Sequence, residues 1–293
     1  MALPVYATPA QKIWHYTYLA ICSMVLFFLV APLIVVIPLS FTNGVFLSFT
    51  PEMLSFSPEG FSLKWYKNML GMCNDPSIKT MCSDKWKTGA INSAIIAIAA
   101  TALSTSLGTM AAIVLSNPLM AFRKLLMATL ISPLIVPLII TASGMFLFYA
   151  KVNLIGTYTG LILAHAALGT PFVVITVTAT LTGFDHNLTR ASQNLGAGVL
   201  TTFFKVQMPL ILPGVISGGL FAFITSFDEV VVVLFMGGPE TVTLPRQMWS
   251  GIRQEISPTI LAAATCLVLI SILLLTTLEL LRRRSDRLRG IKG

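Results

Sequence analysis

Six stretches of this chain, 13–51, 88–122, 125–150, 152–184, 206–227 and 256–278, contain no Asp, Glu, Lys or Arg. Each is at least as long as the roughly 20 apolar residues a helix needs to cross about 30 Å of hydrocarbon. In hydrocarbon every backbone N–H and C=O must be satisfied inside the segment, so runs of this length specify helices. The expected fold is an all-α membrane protein, with spans near 18–41, 89–116, 125–149, 158–181, 209–236 and 258–280. Only 10% of the residues are charged and 55% are hydrophobic, against about a quarter charged in soluble domains. That excludes a soluble domain, and the hydrophobicity excludes a disordered chain.

A net charge of +8 would suit a nucleic-acid binder, but the cations are placed otherwise. Arg282, Arg283, Arg284, Arg287, Arg289 and Lys292 follow directly on the last apolar run. Excess Lys and Arg mark cytoplasmic flanks, so the tail 281–293 is expected in the cytoplasm, with no nucleic-acid partner. Six spans then return the N-terminal 1–17 to the same side, place 42–87 outside and 182–208 inside, all within one transmembrane domain, 1–293. Arg123-Lys124 between the second and third spans agrees; Lys85 and Lys87 beside the second span run against it and are outvoted. The first run is too long for a signal-peptide core and is read as a span. Cys22 and Cys266 lie in apolar runs as small hydrophobes. Cys73 and Cys82 share a polar loop and form a disulfide if that loop meets an oxidising compartment.

Segment 182–208 differs in kind, carrying Asp185, His186, Asn187, Arg190, Gln193, Asn194 and Lys205 among helix-compatible apolar residues. Gly196 can end a helix in the left-handed conformation, and Pro209 suits the first turn of the next. The expected unit is a compact helix–turn–helix at the membrane face. Arg190-Ala191-Ser192-Gln193-Asn194-Leu195-Gly196 is followed nine residues later by Val206-Gln207-Met208-Pro209. This resembles the Glu-Ala-Ala signature of bacterial binding-protein-dependent ABC importer permeases, in which a glycine and an Ile-x-Leu-Pro run follow at the same spacing. Arg190 and Ser192 depart from its first and third positions.

Thr225–Glu229, Gly237–Pro239, Thr243–Pro245, Ile256–Pro258 and Ser62–Tyr66 are similar to the polyamine (spermidine/putrescine) branch of that family. The resemblance implies a type I ABC importer permease fold (MetI-like) with a cytoplasmic coupling helix in a bacterial inner membrane. It also implies a homologous second permease, two copies of an ABC ATPase and a periplasmic solute-binding protein. The ATPase-coupling residues it implies are Arg190, Ala191, Ser192, Asn194, Leu195, Gly196 and Ala197. The chain has no G-x-x-x-x-G-K-[ST] loop to cradle nucleotide phosphates, so ATP and Mg would be used by the partner. No catalytic, cofactor-binding or metal-ligating set is expected in this chain.

Asp228 and Glu229 interrupt the fifth apolar run, roughly 28 Å along a helix from Pro209 at 1.5 Å per residue. Ionisable groups at such depth are costly and face a cavity or a partner. Three readings stand. Ser226, Asp228 and Glu229 line a path for a cationic solute; Ser226-x-x-Glu229 caps a new helix after a break; or one acid pairs with Arg246 or Arg253. His165 reads as a hydrogen-bonded structural residue. Gly214-x-x-x-Gly218 permits close helix approach, Trp249 suits an interfacial anchor or a binding-protein contact, and Thr176, Thr178, Thr180 and Thr182 have no assigned role. The rival solutes are another amine or zwitterion, such as an aminophosphonate or an opine. The rival class is an ATP-independent secondary transporter. An intramembrane enzyme is disfavoured by the lack of any other acidic or histidine cluster in the spans.

Overall fold

The computed structural model describes residues 8–72, 82–117, 120–254 and 256–288. In chain order the helices are α1 (Pro9–Leu39), α2 (Pro51–Leu54), α3 (Lys64–Met69), α4 (Lys85–Ser116), α5 (Arg123–Ile135), α6 (Leu138–Lys151) and α7 (Tyr158–Thr182). They continue as α8 (His186–Asn194), α9 (Val199–Thr202), α10 (Met208–Phe227), α11 (Val231–Met236), α12 (Leu244–Gln254) and α13 (Thr259–Leu288). Among the described residues the one β pairing is an isolated antiparallel bridge between Thr42 and Phe61. Five helical stretches are long and apolar enough to cross a membrane, Pro9–Leu39, Lys85–Ser116, Tyr158–Thr182, Val199–Phe227 and Thr259–Thr277. The bent pair α5–α6 makes a sixth if counted as one span.

Two compact units are present, Met1–Cys82 with Gln254–Cys266, and Ser83–Arg253 with Leu267–Gly293. In the first, Thr8 opens α1 with a reciprocal cap: its Oγ1 accepts from the Gln11 amide, and its own amide donates to Gln11 Oε1 at 3.0 Å. The most apolar stretch of α1 buries nothing within the chain, as a wall facing lipid or a neighbouring subunit would. The stretch after it folds on an indole: Trp65 is 1% exposed and donates Nε1–H to the Thr42 carbonyl at 2.8 Å. Ser40 and Tyr66 hydroxyls share a 2.6 Å bond, and Asn68 donates to Thr259 Oγ1 at 3.1 Å. Gly60 is required there, because a Cβ would come within 2.6 Å of the Met53 amide nitrogen.

The second unit is built on α4, α7 and α10, whose contacts are made by small residues. A Cβ on Gly108 would lie 2.7 Å from Val173 Cβ, and one on Gly169 would lie 2.8 Å from Ser104 Oγ. Gly214 and Gly218 of α10 seat against Thr180 and Thr176 of α7. The Gly-x-x-x-Gly pair is thus an intrachain contact, and Thr176 and Thr180, four residues apart, form its other half. Both hydroxyls donate to backbone carbonyls of their own helix, at 2.9 Å to Phe172 and Thr176. Around this contact lie Val173, Val177, Ile211 and Val215. A second cluster, with Ile96, Leu161, Leu168, Val232 and Met236, packs α11 against α6 and α7.

Two expected spans differ in form. The third is not straight: α5 and α6 meet at 104°. Pro137 has no N–H for the helical ladder, and its ring drives the preceding residue out of the αR region; Val136 sits at φ −73°, ψ 133°. The fifth span begins ten residues before Pro209, at Val199, and passes through a π-helical turn, Phe203–Gln207. Pro209 would crowd the carbonyl four residues back, and a wider turn upstream relieves that conflict. At its far end α10 stops at Phe227 and α11 starts at Val231. The last helix runs past the expected 280 to Leu288, with Glu279 and Arg283 paired at 2.7 Å one turn apart.

Candidate coupling surface and acidic break

Asp185 starts α8 by accepting the Asn187 amide at 2.9 Å, the side-chain cap a helix N-terminus favours. The helix ends as Gly196 predicts. Gly196 has φ +86°, its N–H donates to the Gln193 carbonyl at 2.9 Å, and the Ala197 N–H donates to the Ser192 carbonyl at 3.1 Å. This 6→1 and 5→2 pair is the Schellman arrangement, which only a left-handed residue closes without strain. The chain then reverses into α9 and the π turn. Two side-chain bonds tie the halves: Ser192 Oγ to Thr202 Oγ1 at 3.0 Å, and Gln207 Nε2 donating to Thr189 Oγ1 at 3.1 Å.

Of the residues expected to engage an ATPase, Arg190, Ala191, Asn194, Leu195 and Gly196 are exposed, while Ser192 and Ala197 are half-buried. Ser192 holds the elbow together and is not free to present its hydroxyl outward. Leu195 is 89% exposed, and Val199, Leu200 and Phe204 also stand out. These apolar side chains stand exposed together on a segment pinned from behind. Sequence reading missed Val199, Leu200 and Phe204, because their apolarity blends into the span that follows.

At the other end of α10, Ser226, Asp228 and Glu229 have three different environments. Ser226 is buried and shares a 2.8 Å hydrogen bond with Nδ1 of His165, itself 1% exposed. The Ser226-x-x-Glu229 capping box therefore does not form: Ser226 lies inside α10 and its hydroxyl is committed to α7. Glu229 is buried and caps alone, its Oε1 accepting the Val232 amide at 2.9 Å. Asp228 is exposed. Among the described residues neither acid pairs with Arg246 or Arg253. Arg246 donates to the Gly238 carbonyl at 3.2 Å, and Arg253 lies 5.6 Å over the Trp249 ring.

The loop beyond α11 is clamped in place. Asn92 Nδ2 donates to the Glu240 and Val242 carbonyls at 2.8 and 2.9 Å, its Oδ1 accepts from Tyr158 at 2.7 Å, and Ser93 accepts the Leu244 amide. Gly156, at φ +76°, donates to the Met236 carbonyl at 2.8 Å. The acidic break therefore sits between two fixed ends, and irregular backbone at membrane depth survives where it lines protein or a cavity.

Cys82 is disulfide-bonded, while Cys73 lies outside the described residues. Cys22 and Cys266 are free thiols. Among the described residues no three His, Cys, Asp or Glu side chains converge to hold a metal ion.

Residues 104–289 match the family described as binding-protein-dependent transport system inner membrane component. The spermidine/putrescine transport system permease protein PotC of Haemophilus influenzae is 30% identical over 239 residues, covering 82% of this chain and 89% of that protein. The putrescine transport system permease protein PotI of Escherichia coli is 31% identical over 255 residues, 82% of each. A solved bacterial ABC transporter involved in the import of the acidic polysaccharide alginate superposes with a TM-score of 0.67. It covers 94% of this chain and 99% of its own, at 14% identity. That likeness shows the fold alone; together with the family match, the fold is all-α and of the MetI-like permease type.

Proposed function

Because the chain belongs to the family of binding-protein-dependent transport system inner membrane components, we propose that it is the transmembrane permease subunit of an ATP-driven polyamine importer. The observation that carries the mechanism is the elbow of α8 and α9, closed by Gly196 and presenting Leu195 outward. It is short, doubly tied and continuous through the π turn with α10. A push on it is delivered to α10, and from there to the α4–α7–α10 packing. A motor protein gripping this elbow would switch the bundle between inward- and outward-facing states, so the work of this chain is conformational and not covalent.

In this reading the partners are a homologous second permease, two ATPase copies that bind ATP and Mg, and a periplasmic binding protein. Both termini and the elbow face the cytoplasm, and 42–87 faces the periplasm as part of one permease domain. Arg190, Ala191, Asn194 and Leu195 meet the ATPase, while Ser192, Gly196 and Ala197 shape the elbow. Asp228 offers a carboxylate to a cationic solute, Glu229 holds the break open, and Ser226 fixes α10 to α7. Names of the relatives support spermidine or putrescine as the solute, and an exposed acid on an apolar wall suits a polycation. The test is uptake of labelled spermidine into proteoliposomes holding the chain with its partners. Uptake must require internal ATP; uptake by the chain alone, or driven by an ion gradient after ATP depletion, overturns the proposal.

A further inference from the structure

Helix α5 buries no residue within the chain, and one side of it forms an open groove of about 950 Å³. Five of its lining residues, Lys124, Met127, Ala128, Ile131 and Ile135, keep the three-to-four-residue repeat of one helix face, and Arg123 lines it beside Lys124. The pattern along that face is polarised. Two cations stand at its start, and only apolar side chains follow. No acid lines the groove, and among the described residues neither cation has an ion-pair or hydrogen-bond partner. From Lys124 to Ile135 a helix rises roughly 16 Å at 1.5 Å per residue, about half of a 30 Å hydrocarbon core. The 104° bend into α6 then ends the groove at about one leaflet's depth from its two cations.

We propose that this groove binds a single anionic phospholipid, its phosphate on Arg123 and Lys124 and an acyl chain along Met127, Ala128, Ile131 and Ile135. Charge complementarity selects the occupant. A neutral apolar helix of a neighbouring subunit would use the apolar length and leave the two cations unengaged, whereas a phosphodiester engages both charges and its tail matches the apolar length. Basic pockets beside membrane helices recognise anionic headgroups in this way.

The experiment is native mass spectrometry of the full chain in non-ionic detergent, titrated with phosphatidylglycerol or phosphatidylethanolamine. The expected result is one retained phosphatidylglycerol, held in clear preference to phosphatidylethanolamine. R123Q/K124Q should weaken it about 25-fold, at roughly fivefold per charge, whereas K151Q at the end of α6 leaves it unchanged. Ile131→Trp keeps both cations but fills the groove, and should also lose the lipid; a diffuse electrostatic halo would survive it. A photoreactive acyl chain should label the 127–135 segment in the wild-type chain, which needs no variant to fold. Equal retention of the two lipids, or retention by R123Q/K124Q or by Ile131→Trp, would overturn the site. So would cross-links from this face to a companion polypeptide alone in the assembled importer.

Discussion

Glu229 Oε1 accepts the Val232 amide at 2.9 Å, and this bond opens helix α11 on the far side of a three-residue break. Its neighbour Asp228 is exposed and makes no side-chain hydrogen bond among the described residues. Adjacent acids therefore have separable duties. Glu229→Ala removes a cap and should lower stability by about 1 kcal/mol, read as a reduced Tm in detergent. Glu229→Gln keeps the acceptor and should stay near wild type. Asp228→Asn should leave the Tm unchanged and reduce spermidine uptake at least tenfold. If both amide variants transport normally, neither carboxylate lies on the path.

His165 and Ser226 make a buried link between α7 and α10. Ser226→Ala leaves an imidazole nitrogen unpaired, which costs about 1–3 kcal/mol. Replacing both, as in H165L/S226A, removes donor and acceptor together and should cost less than the sum of the single changes. A double-mutant cycle of thermal melts measures this; strict additivity would mean the bond contributes nothing.

The helices were legible because lipid imposes a length on apolar runs, and α1, α4, α7 and α13 overlap the expected spans, α13 running on to Leu288. Gly196 was legible because only one backbone conformation ends a helix with that bonding. The bend at Val136-Pro137 was not, since Pro133 and Pro137 lie in an uninterrupted apolar run and membrane helices tolerate proline. Of the three readings, the capping box fails at Ser226: its local spacing to Glu229 fits a cap, while the partner that claims its hydroxyl is His165, 61 positions away. Thr176 and Thr180 were passed over because their role appears only when Gly218 and Gly214 are brought opposite them.

The glycines of α10 give an unequal pair of variants. Gly214→Ala meets the Thr180 hydroxyl first, so T180A should recover part of the stability lost in G214A. Gly218→Ala meets the Thr176 hydroxyl but also the Val173 Cα at 2.8 Å, and no side-chain truncation removes a backbone atom. G218A should cost about 1–3 kcal/mol, with T176A giving little relief. Equal rescue in the two pairs would refute this account of the interface.

Cys82 is bonded, and the reading adopted above makes Cys73 its partner. Without reductant, the denatured chain should take up maleimide at Cys22 and Cys266 only, and after reduction at four thiols. In C73A, Cys82 becomes reactive, and the Tm should fall by an amount corresponding to about 2–4 kcal/mol. A Cys82 that stays protected in C73A would exclude the pairing.

The elbow gives the most direct test of coupling, because its surface and its shape can be altered separately. Leu195 is 89% exposed, so Leu195→Asp removes no packing within the chain and should leave the Tm unchanged. The same change puts a charge into any apolar groove that receives the elbow. ATPase retained on the purified permease and ATP-dependent uptake should both fall at least tenfold. Gly196→Ala acts on shape: φ +86° is a left-handed conformation that costs an alanine about 1–2 kcal/mol, while no neighbour obstructs the added methyl. It should therefore weaken the Schellman turn and reduce uptake with most of the ATPase still bound. If Leu195→Asp retains both partner binding and uptake, the motor grips this chain somewhere else.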